Sequence, residues 1–182
     1  MIDFLIVDNF YIDPLAVREF ALTQNFDVIG NYPGKRTQSC SEPFFSNIRE
    51  YIESNIIKTP ITYWPDEYNT SFQFTTQENK TWIHHDCTRW AGVIYLTPDA
   101  PIESGTGIYR HKESKVFLHT KDAIDYNEVP IVEKDWELIA FCGNIFNRLV
   151  IYNGMLYHRS VLPGFGTCKQ TGRLFQTFFF DA

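Results

Sequence analysis

The sequence has few cysteines and little positive charge, and each shortage excludes a class of protein. Its four cysteines show no C-x-x-C spacing, so we expect reduced thiols rather than a disulfide framework. The formal net charge is −6 and the sequence pI is about 5.3, which leaves no basic surface to grip a phosphate backbone. Nucleic acid is therefore not an expected partner.

Long apolar runs are also missing. No stretch approaches the length of a membrane span, and the first residues, MIDFLIVDNFYIDP, lack the positive start and apolar core of a signal peptide. We therefore expect a cytoplasmic protein without a membrane partner. There is no internal repeat, linker or nucleotide-binding glycine loop, and the 182 residues fit one domain over residues 1–182.

Aromatic residues, by contrast, are abundant: 16 Phe, 10 Tyr and 4 Trp, which is typical of a sheet-rich interior. Two amphipathic helices are predicted first, in a support region over residues 1–59. Asp13 is the predicted cap of a helix that begins at Pro14, with apolar residues at 15, 17, 20, 21 and 22. Ser41 and Pro43 are predicted to open the second, with apolar residues at 44, 45, 48, 52 and 56.

From residue 60 the pattern changes to short β-branched and aromatic runs, which predict strands. The runs are ITYW, SFQFTTQ, WIHHD, AGVIYLT, GTGIYRH, RLVIYN and RLFQTFFF. We expect the loop PDAPIESG to join two of them as a hairpin, and residues 112–146 to form an irregular insertion with a helix around DWELIAFCGNIF. Helices followed by strands predict an α+β fold whose core, over 60–182, is a sandwich or barrel.

Potential metal ligands stand side by side in the run WIHHDC. Because alternate residues of a strand share a face, His84 is grouped with Asp86, and His85 with Cys87. The first pair supplies two ligands of a 2-His-1-carboxylate set, which suits a ferrous ion with open positions. The second pair, with its thiolate, suits zinc or no metal, and we assign it to the opposite face. A carboxylate inside an aromatic barrel needs a cation or hydrogen-bond donors.

The remaining ligand has to come from a distant part of the chain. His158 follows a strand and the turn at Asn153 and Gly154, late enough in the chain to reach the site from the opposite sheet. His111 and His119 are the competing candidates.

Arg173 begins the most apolar run of the chain, RLFQTFFF. Alternation places it on one face with Phe175, Thr177 and Phe179. An arginine aimed into a barrel beside a metal needs an anion, and its planar fork suits a carboxylate. The sequence therefore indicates a small acidic cosubstrate.

The ordered set of His84-x-Asp86, His158 and Arg173 resembles the iron(II)/2-oxoglutarate-dependent dioxygenases. VDNFYIDPLAVREFAL is similar to the amino-terminal region of small members near the prolyl-hydroxylase and phytanoyl-CoA-hydroxylase branches, and GTGIYRH and NRLVIYNGMLYHRS to their glycine-containing and distal-histidine strands. The resemblance covers residues 1–110 and 145–180. It implies a double-stranded β-helix, a jelly roll of the cupin type, with the amino-terminal helices on the major sheet and the metal at its open end.

The resemblance also implies an enzyme and its cofactors. Fe(II) would be held by the catalytic residues His84, Asp86 and His158, and 2-oxoglutarate by Arg173, with Thr177 and Tyr95 as further cosubstrate contacts and Gln73 and Tyr152 as additional candidates. The implied reaction converts 2-oxoglutarate and O2 to succinate and CO2 and hydroxylates a protein side chain such as proline, an amino acid or a small metabolite.

Other interpretations of the same residues stay open. The alternative function is a non-catalytic cupin-like module that binds a metal or small ligand, although such a module has no need of Arg173. A scaffold that kept only the fold is disfavoured because all three ligand types are present. Substrate contacts are open as well: Lys35 and Arg36 either hold an anionic substrate or are solvated, and the same choice applies to Tyr109, Arg110 and His111.

Overall fold

The computed structural model describes residues 2–40, 47–122, 124–162 and 164–182, which are mostly antiparallel sheet with few helices. The helices are α1 (Pro14–Thr23) and α2 (Ile48–Tyr51), and α2 continues as a π-helix over Ile52–Ile57. The strands are β1 (Phe4–Val7), β2 (Lys35–Arg36), β3 (Phe72–Thr75), β4 (Trp90–Tyr95), β5 (Thr106–His111), β6 (Trp136–Cys142), β7 (Leu149–Asn153), β8 (His158–Ser160) and β9 (Arg173–Phe180). No helix of the described ranges is long and apolar enough to cross a bilayer.

The strands form two antiparallel sheets. The large sheet has the order β1-β7-β4-β9-β3-β2 and the small one the order β6-β5-β8. The central strands β4 and β9 are buried along nearly their whole length. Burial on both faces of a strand means that both faces of the large sheet are covered, which explains why these sequences are apolar without a clean alternation.

The helices cover one face of the large sheet. Asp13 caps α1, since its side chain accepts a hydrogen bond from the Ala16 amide at 3.0 Å, and Pro14 is the first helical residue, as the sequence predicted. Val17 and Ala21 of α1 pack with the apolar residues of the large sheet.

The second predicted helix is described only in part. Its predicted opening at Ser41 and Pro43, with positions 44 and 45, lies outside the described residues. From Ile48 onward the helix is present, and Ile48 and Ile52 pack in the same cluster as α1. Both helical segments therefore lie on the same face of the large sheet.

A second apolar cluster fills the space between the two sheets. Val93 and Val150 of the large sheet meet Ile108 and Cys142 of the small one. Beside this cluster lies a cavity of about 1040 Å³ whose walls come from both sheets. The candidate site lies in this cavity.

Two sequence predictions about the connections are wrong. DWELIAFCGNIF contains strand β6 rather than a helix, because residues Trp136–Cys142 pair along β5 and long-range pairing overrides the local pattern. PDAPIESG is not a hairpin loop: β4 belongs to the large sheet and β5 to the small one, so this loop crosses between sheets through a 3-10 turn at Ile102–Ser104.

Candidate metal centre

Backbone pairing brings the predicted ligands together. His84 and His158 face each other in an isolated antiparallel bridge, in which the His84 amide donates to the His158 carbonyl at 3.1 Å and the reverse bond is 2.8 Å long. The Asp86 amide donates to the Gly154 carbonyl at 2.8 Å. The segment 84–86 therefore runs beside β8 and the turn before it, and alternation turns His84 and Asp86 to the same side.

The three side chains converge in the cavity wall. Nε2 of His84 lies 3.8 Å from Asp86 Oδ1, and Nε2 of His158 lies 3.3 Å from Asp86 Oδ2. One ligand atom from each residue lies within 4.8 Å of the other two. Two imidazoles and one carboxylate are a donor set that suits a divalent first-row metal such as Fe(II).

The other nitrogen of each imidazole fixes the tautomer. His84 Nδ1 lies 3.0 Å from the Trp82 carbonyl, and His158 Nδ1 lies 2.7 Å from the Leu156 carbonyl. Because a carbonyl oxygen only accepts, each Nδ1 carries a proton that it donates. In the neutral rings the lone pairs are then on the Nε2 atoms, which face Asp86, and this is the arrangement by which proteins orient metal-binding histidines.

Electrostatics at the cluster favour a cation. Burial and the neighbouring His158 lower the pKa of His84 to about 4, so this imidazole is neutral at pH 7. Burial raises the pKa of Asp86, but His158, His84 and Arg36 outweigh it and hold that pKa below the usual value. Asp86 Oδ2 is buried and receives no hydrogen bond from the described residues. An ionised carboxylate with one oxygen that accepts no hydrogen bond, beside the neutral imidazole of His84, is costly without a cation, so these residues fit a metal ion.

Arg173 lies in the wall of the same cavity. Its side chain is buried, its Nε donates to the Ser104 carbonyl at 2.9 Å, and its guanidinium carbon lies 4.4 Å from the centroid of the Phe175 ring. No carboxylate of the described residues pairs with it. Burial lowers the pKa of Arg173, as expected for a guanidinium that lacks a neutralising anion.

The other two predicted cosubstrate contacts differ in their placement. Tyr95 is fully buried, its ring centroid lies 5.3 Å from the guanidinium carbon of Arg173, and its hydroxyl is 2.8 Å from that of Thr106. Thr177 donates its hydroxyl proton to the Tyr68 carbonyl at 2.7 Å. This bond leaves Thr177 no proton for the cosubstrate carboxylate, which is its predicted partner.

Two buried polar groups were missed or undervalued from the sequence. The Thr75 hydroxyl is buried without a hydrogen-bond partner among the described residues, and Thr75 is the cross-strand neighbour of Arg173. Arg36 is buried in the cavity wall, whereas Lys35 beside it is exposed. Alternation along β2 separates Lys35 from Arg36, but a strand of two residues directly after Pro33 and Gly34 gives no clear sequence signal.

The side chains of the remaining histidines do not belong to this cluster. His111 Nδ1 is 3.0 Å from the Ser114 hydroxyl. His119 stacks on His85, with ring centroids 4.0 Å apart and an interplanar angle of 6°, and Asp125 lies 3.0 Å from Nε2 of His85. His85, His119 and Asp125 thus form a second group of potential ligands.

The second group is arranged less well for a metal than the first. Lone pairs of imidazole lie in the ring plane, so two parallel, stacked rings do not aim them at one ion. His85 also contacts the Asp86 carbonyl through Nδ1 at 2.9 Å. The Cys87 side chain is exposed and outside this group. Within the described residues, His85 acts as a link between the 84–86 segment and Asp125.

Comparison with known proteins gives limited support for any family. No family model matches the chain, and no curated protein matches it in sequence. Among solved structures it is similar to the selenomethionine-labelled Fe(II)/(alpha)ketoglutarate-dependent dioxygenase TqaL, at 12% identity and a TM-score of 0.47, over 98% of this chain and 82% of that one. Likeness at this level does not establish the chemistry of this chain.

Proposed function

We propose that this protein is an Fe(II)- and 2-oxoglutarate-dependent oxygenase with a double-stranded β-helix core. His84, Asp86 and His158 are the proposed metal ligands. The observation that carries the proposal is the Asp86 carboxylate, which faces Nε2 of His84 and Nε2 of His158 and whose buried Oδ2 receives no hydrogen bond from the described residues.

The cosubstrate assignment is supported by Arg173. Its buried guanidinium has no carboxylate partner in the described part of the chain, and it shares a cavity with the three proposed ligands. We assign the far carboxylate of 2-oxoglutarate to Arg173, with the unpartnered Thr75 hydroxyl as a second donor. Tyr95 positions the guanidinium through its ring.

These contacts suggest a separate role for each group of the site. When bound, the iron would supply O2 activation coupled to oxidative decarboxylation of 2-oxoglutarate. The carbonyls of Trp82 and Leu156 keep the Nδ1 protons of the two histidines in place, so that Nε2 stays free for the metal. Tyr152, buried, packs edge-on against His158 at a centroid distance of 4.8 Å and shields it from water.

The test is an anaerobic titration of the metal-free protein with Fe(II) and then 2-oxoglutarate. We expect a visible charge-transfer band in the wild type that is absent in His158→Ala. Arg173→Ala should need at least about 10-fold more 2-oxoglutarate because it loses a charge-assisted, two-point contact. His111→Ala and Arg110→Ala are the matched controls, since neither residue belongs to the cluster, and both should behave as the wild type.

The same titration separates the proposal from the alternative. A folded, iron-loaded wild type that develops no band with 2-oxoglutarate would contradict the oxygenase assignment. It would favour the non-catalytic cupin-like module, for which the three ligands hold a metal but Arg173 has no cosubstrate.

A further inference from the structure

Arg36 is a second buried arginine in the cavity, and the proposed oxygenase reaction does not use it. It is 6% exposed. Its guanidinium carbon lies 4.0 Å from the ring centroid of Tyr32 and 4.8 Å from that of Tyr68. The rings of these two tyrosines hold the guanidinium in place through cation–π contacts, so that it is preorganised without an ion pair.

One side of the Arg36 fork is occupied and the other is open. Gln73 Oε1 accepts hydrogen bonds from Nε at 2.9 Å and from one Nη at 2.5 Å. Gln73 itself is fixed, since its Nε2 donates to the Pro33 carbonyl at 2.6 Å. No other hydrogen bond or ion pair reaches the guanidinium from the described residues, which leaves the Nη1–Nη2 edge with two parallel N–H donors.

Arg36 and Arg173 occupy separate positions on the same wall. Arg36 is opposite Gln73, Gln73 is opposite Phe175, and Arg173 precedes Phe175 by two residues on the same face. Two strand spacings separate the backbones of Arg36 and Phe175, roughly 10 Å. The guanidinium groups also lie against different rings, Arg36 against Tyr32 and Tyr68 and Arg173 against Tyr95 and Phe175, so we assign a separate carboxylate to each.

We propose that Arg36 binds the carboxylate of the substrate, so that the substrate is a small carboxylic acid. This inference rests on the proposed function, in which 2-oxoglutarate uses one carboxylate at the metal and the other at Arg173. The open edge of Arg36 matches the two oxygens of a carboxylate. A single guanidinium favours a monoanion over a phosphate dianion, because the third arginine of the cavity, Arg159, is already paired with Glu133 at 2.7 Å.

The test is calorimetric titration of the full-length protein, loaded with Mn(II) and saturating 2-oxoglutarate. The probes are matched acid and amide pairs: the L-α-amino acids and their amides, butyrate and butyramide, and benzoate and benzamide, with phenyl phosphate as a separate anion. We expect at least one acid to bind at least about 10-fold more tightly than its amide. Arg36→Gln should abolish this preference, whereas Lys35→Gln, which removes the exposed neighbouring charge, should keep it.

Four results would overturn the carboxylate assignment. In the wild type, these results are that no acid binds, that each acid and its amide bind equally, or that phenyl phosphate binds about 10-fold more tightly than every acid. In Arg36→Gln, the result is that the preference for the acid survives. Equal loss of 2-oxoglutarate affinity in Arg36→Gln and Arg173→Gln would also overturn it by placing the cosubstrate at Arg36. If Arg36→Gln does not fold, the wild-type comparison of acid with amide decides.

The outcome for 2-oxoglutarate is independent of the outcome for the acids. If an acid binds through Arg36 and 2-oxoglutarate does not bind the wild type, the carboxylate site stands and the proposed function fails. If 2-oxoglutarate binds and no acid does, the proposed function stands and the Arg36 assignment fails.

Discussion

At the scale of single residues, Gly154 packs closely against Asp86 and Thr88. A Cβ atom at Gly154 would lie 2.5 Å from the Thr88 carbonyl oxygen and 3.3 Å from Asp86 Cβ. The Gly154 carbonyl accepts the Asp86 amide hydrogen bond at 2.8 Å. The sequence suggests only turn chemistry for Asn153 and Gly154, whereas the structure shows that close backbone approach requires the glycine.

Gly154→Ala should therefore weaken both the fold and the site. The backbone has to shift to admit the methyl group, so we expect the free energy of unfolding to fall by about 1–3 kcal/mol, with lower metal affinity because Asp86 moves. Urea denaturation and Mn(II) titration measure the two effects. Gly143→Ala is the control, since the three atoms nearest to its added Cβ all belong to Ile102, whose side chain is exposed. Equal metal affinity in wild type and Gly154→Ala would show that this contact does not position Asp86.

Thr75 and Thr177 are both buried threonines of the large sheet. We predict opposite effects of their substitution on stability and on the Kd for 2-oxoglutarate. Thr75→Val removes an unpartnered hydroxyl beside Arg173, so it should leave stability nearly unchanged and raise the Kd for 2-oxoglutarate by about 2- to 10-fold. Thr177→Val removes a donor from the Tyr68 carbonyl and should cost about 1–3 kcal/mol of stability with little selective change in that Kd. Calorimetry and urea denaturation distinguish the two, and a reversed pattern would restore Thr177 to the cosubstrate site.

At the scale of elements, the segment between β5 and β6 is tied to the 84–86 segment. Asn127 bonds both backbone groups of His85: its Oδ1 accepts from the amide at 3.2 Å, and its Nδ2 donates to the carbonyl at 2.9 Å. Asp125 meets the His85 ring at 3.0 Å. Tyr126, Asn127, Val129 and Ile131 line the cavity, so these bonds hold one wall of the cavity against the metal-binding segment.

Asn127→Ala should loosen this wall without unfolding the sheets. Loss of both bonds removes the anchor of this segment to the His85 backbone, and local opening then requires less free energy. Hydrogen exchange followed by mass spectrometry should show faster exchange in peptides from 124–131 and unchanged exchange in β4 and β9. Asn55→Ala, at an exposed π-helical position, is the matched control. Unchanged exchange over 124–131 would mean that Asn127 does not anchor the segment.

At the scale of the whole molecule, local sequence signals predicted individual elements, whereas long-range pairing determines how these elements assemble. Asp13 and Pro14 predicted α1, and alternation put His84 and Asp86 on one side, because these features depend on near neighbours. The bridge from His84 to His158 joins segments far apart in sequence, so the choice of His158 over His111 and His119 depended on the family resemblance. Whether the three residues bind iron stays a prediction.

The features that the sequence did not predict also depend on contacts between segments that are distant in the chain. WELIAFC fits either a helix or a strand, and only its pairing with β5 makes it a strand. Arg36 is buried because Tyr32, Tyr68 and Gln73, from three different segments, surround it. The position of His119 against His85 likewise depends on the path of an irregular segment. Burial of this kind is set by tertiary packing rather than by local periodicity.

The most direct test of the central claim is the anomalous scattering of Mn(II) in crystals of the protein grown with 2-oxoglutarate. We expect a single strong anomalous peak between His84 Nε2, the Asp86 carboxylate and His158 Nε2, with density for the far carboxylate of 2-oxoglutarate at the Arg173 guanidinium. A peak at His85, His119 and Asp125 instead, or no peak at the first cluster in Mn(II)-saturated crystals, would contradict the account.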